Sequence, residues 1–199
     1  MTHAAQAADE RHQQADGQEH RLIVAGFGGQ GILTLGKLLC MAAMREGKKV
    51  TYLPAYGPEV RGGTANCQVV ISSETIYSPL VEQADSAIIL NQLSYERFAR
   101  ALRPAGLLLV NSSGVDTDAV SPAANARVVR LPAAEIAADM GDVRVANVIM
   151  LGAFVRVTAL VAEQTCATAL ADLLGRRKAA LIQLNEQAFI RGGQLAEGA

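Results

Sequence analysis

A glycine-rich loop follows the first apolar run of the chain, at Gly26-Phe-Gly-Gly-Gln-Gly31. Gly26, Gly28 and Gly31 match the pattern G-x-G-x-x-G, in which glycines permit a tight turn, a close approach of the backbone to a ligand and close packing of a helix on a strand. Backbone N–H groups at the start of the following helix would point at an anion lying over the loop. The pattern therefore indicates a nucleotide, another anionic ligand, or a turn that serves packing alone.

The dinucleotide interpretation needs one more element, an acidic residue roughly 20 positions further on that binds a ribose hydroxyl. The corresponding stretch, residues 50–56, reads Val-Thr-Tyr-Leu-Pro-Ala-Tyr and contains no carboxylate. Glu59 comes later, in a loop rather than at the end of a strand. The sequence therefore disfavours a nicotinamide cofactor, and it leaves another phosphate-bearing ligand or a purely structural turn as the main alternatives.

A second loop, residues 54–63, contains two prolines and three glycines and cannot continue a strand or form a helix. Arg61 can bind a phosphate or a carboxylate through two parallel hydrogen bonds, and Glu59 can orient it or accept a proton from a ligand. Gly62 and Gly63 follow directly, which favours a loop shaped for function over an ordinary exposed ion pair. Because this loop leaves the carboxyl end of a predicted strand, we expect it beside the glycine-rich loop.

The histidines are confined to the polar start of the chain, at positions 3, 12 and 20. Residues 1–20 lack the basic and apolar segments of a secretory signal, and we predict that they form a disordered tail. The folded part is then expected to contain no histidine. This excludes Ser-His-Asp and Cys-His catalysis and histidine-rich metal sites for this chain acting alone.

The cysteines, Cys40, Cys67 and Cys166, are widely separated and form no C-x-x-C pair. Common iron–sulfur clusters need four thiolates or a close substitute, so we expect no cluster on this chain. We interpret each cysteine as a small buried apolar residue, and we expect a cytoplasmic protein without disulfides. No catalytic residue and no metal ligand is assigned.

Composition indicates one folded domain with a sizeable core. The chain has 199 residues, of which 50% are apolar, and a formal net charge of −1. That charge argues against a nucleic-acid binder that relies on phosphate neutralisation. We place the domain at residues 21–192 and expect a frayed tail at residues 193–199, where two glycines interrupt the helical pattern.

Apolar runs and helical periodicities alternate along the first two thirds of the chain. Strands are predicted over residues 22–25, 50–53, 64–71, 86–90, 107–110 and 127–131, with residues 75–77 as a short hairpin partner of the third strand. Helices are predicted over residues 32–46, 94–102 and 133–140, and most of the chain from residue 143 onward is expected to be helical. This alternation predicts a Rossmann-like α/β fold, with a mostly parallel sheet, flanking helices and a helical C-terminal region.

An apolar helix is predicted over residues 146–155, too short and too interrupted by polar residues to span a membrane. Such a helix is expected to be buried on most sides, in the core or under a partner. Asn147 near its start is interpreted as an N-terminal cap, with a polar contact at a subunit interface as the alternative.

Three motifs in a fixed order resemble the gamma subunit, or gamma domain, of the 2-oxoacid:ferredoxin oxidoreductases. They are residues 26–32 (Gly-Phe-Gly-Gly-Gln-Gly-Ile), 56–63 (Tyr-Gly-Pro-Glu-Val-Arg-Gly-Gly) and 145–153 (Val-Ala-Asn-Val-Ile-Met-Leu-Gly-Ala). The resemblance covers about residues 21–190. The order of three separate motifs makes it more specific than the glycine pattern.

The resemblance implies an accessory role in a multi-subunit enzyme that converts a 2-oxoacid and coenzyme A to an acyl-CoA and carbon dioxide and passes electrons to ferredoxin or another acceptor. Thiamine diphosphate, Mg and [4Fe-4S] clusters are then expected in partner subunits: alpha and beta, which bind thiamine, and a ferredoxin-like delta. Pyruvate, 2-oxoglutarate, branched-chain and aromatic substrates such as phenylglyoxylate or indolepyruvate all remain open.

The resemblance also suggests roles for the two loops. Gly28, Gly29, Gln30 and Gly31 would present donors to the coenzyme A phosphates or to an adjoining subunit, while Arg61, steadied by Glu59 and backed by Gly62 and Gly63, would face the shared cleft. Two alternatives belong to other classes of protein. One is a stand-alone nucleotide-dependent oxidoreductase, and the other is a scaffold that binds no small molecule.

Overall fold

The structure, a computed structural model, describes residues 19–56, 63–175 and 179–197. Its strands are β1 (His20–Phe27), β2 (Lys49–Tyr56), β3 (Thr64–Ser72), β4 (Ala84–Ile89), β5 (Leu102–Asn111) and β6 (Arg127–Leu131). Its α-helices are α1 (Ile32–Arg45), α2 (Gln92–Phe98), α3 (Ala133–Asp139), α4 (Ala146–Thr158), α5 (Glu163–Leu174) and α6 (Ala179–Ala196). A short 3-10 helix, Val143–Val145, precedes α4.

The described strands form one six-stranded sheet in the order β2-β3-β1-β4-β5-β6. The pairings β1 with β4, β4 with β5, and β5 with β6 are parallel. β3 runs antiparallel to both of its neighbours, β1 and β2, so it alone opposes the direction of the sheet. This confirms the predicted α/β fold with a mostly parallel sheet and C-terminal helices.

Helices cover the two faces of the sheet unequally. On one face, α1 and the C-terminal helices cover a large core. Alternate residues of β1, among them Leu22 and Val24, belong to this core. On the other face, α2 and the connecting segments cover a smaller core that contains Ile23 and Ala25. This period-2 alternation explains why the central strands read as continuous apolar runs. Within the described residues, no helix is long and apolar enough to cross a membrane.

The first strand begins earlier than predicted, because His20 pairs with Ile71 of β3. The side chain of His20 enters the fold, with Nε2 2.8 Å from the hydroxyl oxygen of Ser86 and the ring edge-on to Phe154. The expectation of a folded part without histidine was therefore wrong. The apolar run starts at Leu22, and the cross-strand pairing that extends β1 is not visible in local sequence.

The predicted hairpin partner of β3, residues 75–77, was also wrong, since these residues are not in a strand. β2 and β1 already occupy both edges of β3, so no edge is left for a third partner. The second predicted helix is likewise displaced: it starts at Gln92 because the side chain of Asn91 caps it and accepts from the N–H of Ser94 at 2.8 Å.

The expected frayed C-terminal tail is instead helical, since α6 continues to Ala196. Gly192 lies against α4, where an added Cβ would be 1.9 Å from the carbonyl oxygen of Ile149. Gly152 of α4 lies equally close to α6, 1.9 Å from the carbonyl oxygen of Phe189 by the same measure. The two glycines therefore let the backbones of α4 and α6 touch, and packing stabilises helix at a position that sequence alone assigns to a helix end.

Candidate functional site

The candidate site lies where the connections from two neighbouring parallel strands diverge. The chain leaves β1 toward α1 on one face of the sheet, whereas it leaves β4 toward α2 on the other face. β1 and β4 are adjacent and parallel, so a crevice opens beyond Phe27 and Ile89. In open α/β sheets, ligands bind at such a topological switch point.

The glycine-rich loop forms a tight turn at this crevice. The N–H of Gln30 donates to the carbonyl oxygen of Phe27 at 3.1 Å, which closes the turn. Gly29 and Gly31 have φ values of 96° and 73°, in the left-handed region that side-chain-bearing residues rarely adopt. Gly31 is also the N-terminal cap residue of α1. The loop thus delivers the chain from β1 into the helix, as predicted.

Two glycines of the G-x-G-x-x-G pattern make room for side chains of this same chain, and the third contacts another loop through its backbone. A Cβ on Gly26 would be 2.7 Å from Oε1 of Gln30, and a Cβ on Gly31 would be 2.2 Å from Nδ2 of Asn147. The N–H of Gly28 donates to the carbonyl oxygen of Gly63 at 3.0 Å. These contacts differ from a dinucleotide loop, in which the second glycine lets the backbone approach a pyrophosphate.

Gln30 fills the crevice between the two strand ends. Its Oε1 accepts from the N–H of Phe27 at 2.7 Å, and its Nε2 lies 3.5 Å from the carbonyl oxygen of Leu90. The side chain therefore braces the loop against β1 and β4. Its predicted role as a donor to a ligand stays a prediction. The stretch without a carboxylate that argues against nicotinamide binding lies in β2.

Two backbone donors of the loop are left for a ligand. The N–H groups of Gly28 and Gln30 are used within the protein, while those of Gly29 and Gly31 have no hydrogen-bond acceptor in the described part of the chain. Gly28 and Gly29 are exposed, and α1 has neither a side-chain cap nor an acidic residue in its first turn. No residue of the first turn of α1 therefore neutralises the positive end of the helix dipole, which suits an anion.

The second predicted loop reaches the same edge of the sheet. The prediction that this segment cannot continue a strand was wrong for residues 54–56, because β2 runs to Tyr56 and its ladder with β3 extends to Ala65. Gly63 contacts the glycine-rich loop through Gly28. Three of the predicted site residues, Glu59, Arg61 and Gly62, lie outside the described residues. The structure thus brings Gly63 and the glycine-rich loop together, and the roles of Glu59 and Arg61 stay predictions.

Asn147 was wrongly interpreted as a cap of its own helix. It is the second residue of α4, and its Nδ2 donates to the carbonyl oxygen of Gly31 at 3.2 Å. Sequence reasoning missed this contact because 116 positions separate the two residues. The only available signal was an amide at the start of an apolar helix, which could not reveal its partner.

The three cysteines are free and buried, as predicted. Burial raises the pKa of the Cys40, Cys67 and Cys166 thiols to about 12, so they are protonated at neutral pH. Among the described residues, no group of three or more His, Cys, Asp or Glu side chains is arranged to hold a metal ion.

Comparison with known proteins gives a consistent result. The pyruvate ferredoxin/flavodoxin oxidoreductase family matches residues 21–195. The chain is 44% identical over 135 residues to the ketoisovalerate oxidoreductase subunit VorA of Methanothermobacter marburgensis, covering 68% of this chain but 28% of VorA. It is 33% identical over 176 residues to the 2-oxoglutarate synthase subunit KorC of Methanocaldococcus jannaschii, covering 87% of this chain and 92% of KorC.

Two solved structures have the same fold. The gamma subunit of a keto/oxoacid ferredoxin oxidoreductase from Geobacter sulfurreducens matches with a TM-score of 0.78 and 29% identity, over 92% of this chain and 98% of that subunit. A 2-oxoglutarate:ferredoxin oxidoreductase from Magnetococcus marinus, with 2-oxoglutarate, coenzyme A and succinyl-CoA bound, matches with a TM-score of 0.84 and 26% identity, over 92% of this chain and 32% of that one.

Proposed function

This chain belongs to the pyruvate ferredoxin/flavodoxin oxidoreductase family, and from that membership we propose that it serves as the gamma subunit of a 2-oxoacid:acceptor oxidoreductase. The match to a separate gamma subunit over 98% of that subunit's length supports this assignment. The chain spans only 28% of the length of VorA, so the reaction of the whole enzyme exceeds what this chain carries. The proposed reaction converts a 2-oxoacid and coenzyme A to an acyl-CoA and carbon dioxide.

The proposed role is accessory rather than catalytic. The described part of this chain offers three buried, protonated thiols and no cluster of metal-ligating side chains. The redox groups and thiamine diphosphate with its Mg would then reside on alpha, beta and ferredoxin-like delta subunits. The names of relatives of this chain contain ketoisovalerate, 2-oxoglutarate, indolepyruvate and pyruvate, which supports a 2-oxoacid substrate without selecting one.

We further propose that the chain contributes to the coenzyme A site. The observation that carries this proposal is the hydrogen bond from Gly28 to Gly63, which joins the two predicted loops at the switch point and leaves the N–H groups of Gly29 and Gly31 without acceptors in the described residues. The phosphates of coenzyme A supply the anionic acceptors that such a loop suits. Arg61 would add a bidentate, charge-assisted contact.

The test is the Arg61→Ala variant within the purified complex. Losing a charge-assisted hydrogen bond should raise the KM for coenzyme A by roughly 10- to 100-fold. The control is Arg100→Ala. Arg100 is exposed and lies just before Leu102, where β5 begins, so it is at the amino ends of the parallel strands, away from the two loops. The control should leave this KM unchanged.

An unchanged KM in the Arg61→Ala complex would remove Arg61 from the coenzyme A site. Weakened copurification with the partner subunits, at an unchanged KM, would instead assign the loop to subunit docking. Binding of coenzyme A to the two complexes, measured by calorimetry, separates affinity from later kinetic steps.

A further inference from the structure

We infer that Asn147 is a positioning residue that fixes the glycine-rich loop for its ligand. The inference starts from the first turn of α1, where the carbonyl oxygen of Gly31 accepts from the N–H of Leu35 at 2.9 Å. The same oxygen accepts from Nδ2 of Asn147 at 3.2 Å. Asn147 therefore holds the residue at which the loop becomes a helix, and so sets the direction of the free N–H groups beside it.

Shape complementarity strengthens this contact. A Cβ on Gly31 would lie 2.2 Å from Nδ2 and 2.8 Å from Cγ of Asn147, so the amide occupies the space that only glycine leaves. Because Gly31 can only accept at its carbonyl oxygen, the amide must present its NH₂ group there. The orientation of the Asn147 side chain is thus determined by its one partner.

The amide oxygen of Asn147 shows that filling space is not the reason for an asparagine at this position. Asn147 is 7% exposed, and its Oδ1 is buried with no hydrogen-bond partner among the residues that the structure describes. Burying an unpaired amide oxygen is destabilising relative to an apolar side chain of the same shape. Leucine would fill the space without that cost, so the donor to Gly31 is the feature that distinguishes asparagine at this position.

The helix that carries Asn147 is also closely packed. α4 and α6 meet with their backbones in contact at Gly152 and Gly192, and Val148 and Ile149 beside Asn147 are buried. Interiors packed this closely transmit displacement rather than absorb it. Asn147 therefore connects the C-terminal helices to the ligand loop at Gly31, which gives the third sequence motif a positioning role in the site.

The experiment compares Asn147→Leu and Asn147→Asp in the purified complex. Leucine keeps the branching of asparagine at Cγ and removes the donor, so the complex should keep its thermal stability while amides of residues 28–34 exchange faster with deuterium. The KM for coenzyme A should rise roughly three- to tenfold, with kcat changed less. Aspartate adds a negative charge next to the loop, so its KM should exceed that of the leucine variant and fall as salt is raised.

Asn185→Leu is the matched control. Asn185 is also 7% exposed, and it lines a pocket of about 160 Å³ that Asn147 lines too. Its side chain donates within its own helix, to the carbonyl oxygen of Leu181. It should change neither deuterium exchange at residues 28–34 nor the KM.

Unchanged exchange at residues 28–34 in both Asn147 variants, or an equal change in Asn185→Leu, would overturn the inference. The kinetic part of this inference rests on the proposed coenzyme A role, whereas the exchange measurement does not. Faster exchange, with a KM that neither Asn147→Leu nor Arg61→Ala alters, would therefore uphold the positioning role and refute the coenzyme A role.

Discussion

At the scale of single residues, the glycine pattern correctly predicted a turn but not what surrounds it. Local sequence reveals that Gly29 and Gly31 tolerate left-handed φ values, because only backbone sterics are involved. It cannot reveal that Gln30 and Asn147 occupy the space beside Gly26 and Gly31, since those contacts depend on side-chain direction and on a helix far along the chain. In this chain the space beside these glycines is therefore occupied by side chains of the protein itself, unlike in a dinucleotide site.

His20 provides a prediction at this scale, because it is a titratable group that enters the fold. Burial lowers its pKa from the ordinary value of 6.5, and Arg103 lowers it further, against the opposing effect of Asp85. The unfolded chain then takes up a proton at His20 before the folded protein does. Stability contributed by neutral His20 is present above pH 6.5 and is lost as the pH falls below it.

Urea unfolding of the full chain at pH 8 and pH 5.5 measures this effect. The free energy of unfolding should fall by up to about 1.4 kcal/mol for each pH unit below 6.5, and His20→Gln should reduce that fall. His12→Gln, in the predicted tail, is the control and should leave the pH dependence unchanged. An identical pH dependence in the His20→Gln protein would show that His20 is as readily protonated folded as unfolded.

At the scale of secondary-structure elements, apolar runs located the strands but not their partners. The last strand was predicted with its observed bounds, Arg127–Leu131. The pairing of β3 between β2 and β1 was missed, because sheet order depends on contacts between segments that no local pattern encodes. Helix ends were missed where tertiary packing overrides propensity, as in α6.

The crossing of α4 and α6 yields a second prediction. An added methyl group at Gly152 or Gly192 would meet backbone atoms at 1.9 Å, and backbone cannot move aside as a flexible side chain can. Gly152→Ala and Gly192→Ala should each lower the free energy of unfolding by at least about 2 kcal/mol. Urea denaturation of the full chain measures the loss.

Gly193→Ala is the matched control at the same crossing. A Cβ there would make only ordinary contacts, the nearest being 3.6 Å from Nε of Arg156. Because alanine has the higher helix propensity, this variant should be neutral or more stable by up to about 1 kcal/mol. Equal effects at Gly192 and Gly193 would contradict the description of the crossing.

At the scale of the whole molecule, the glycine-rich loop, Gly63, the start of α1 and the start of α4 all meet at one edge of the sheet. Described residues of three separate sequence motifs therefore come together there, joined by the bonds from Gly28 to Gly63 and from Asn147 to Gly31. Topology could be expected to bring the first two motifs together, since both follow parallel strands. The third lies on a helix, and only the fold places it there.

We propose that this chain lends a shaped, anion-binding surface to chemistry performed by other subunits. Affinity purification of the full chain from its native host, with identification of the companion chains and an assay for reduction of an electron acceptor that requires both a 2-oxoacid and coenzyme A, tests that claim most directly. We predict companions that carry thiamine diphosphate and iron–sulfur clusters, activity in the assembly, and none in the isolated chain. Turnover by the isolated chain, or its recovery without such companions, would contradict the account.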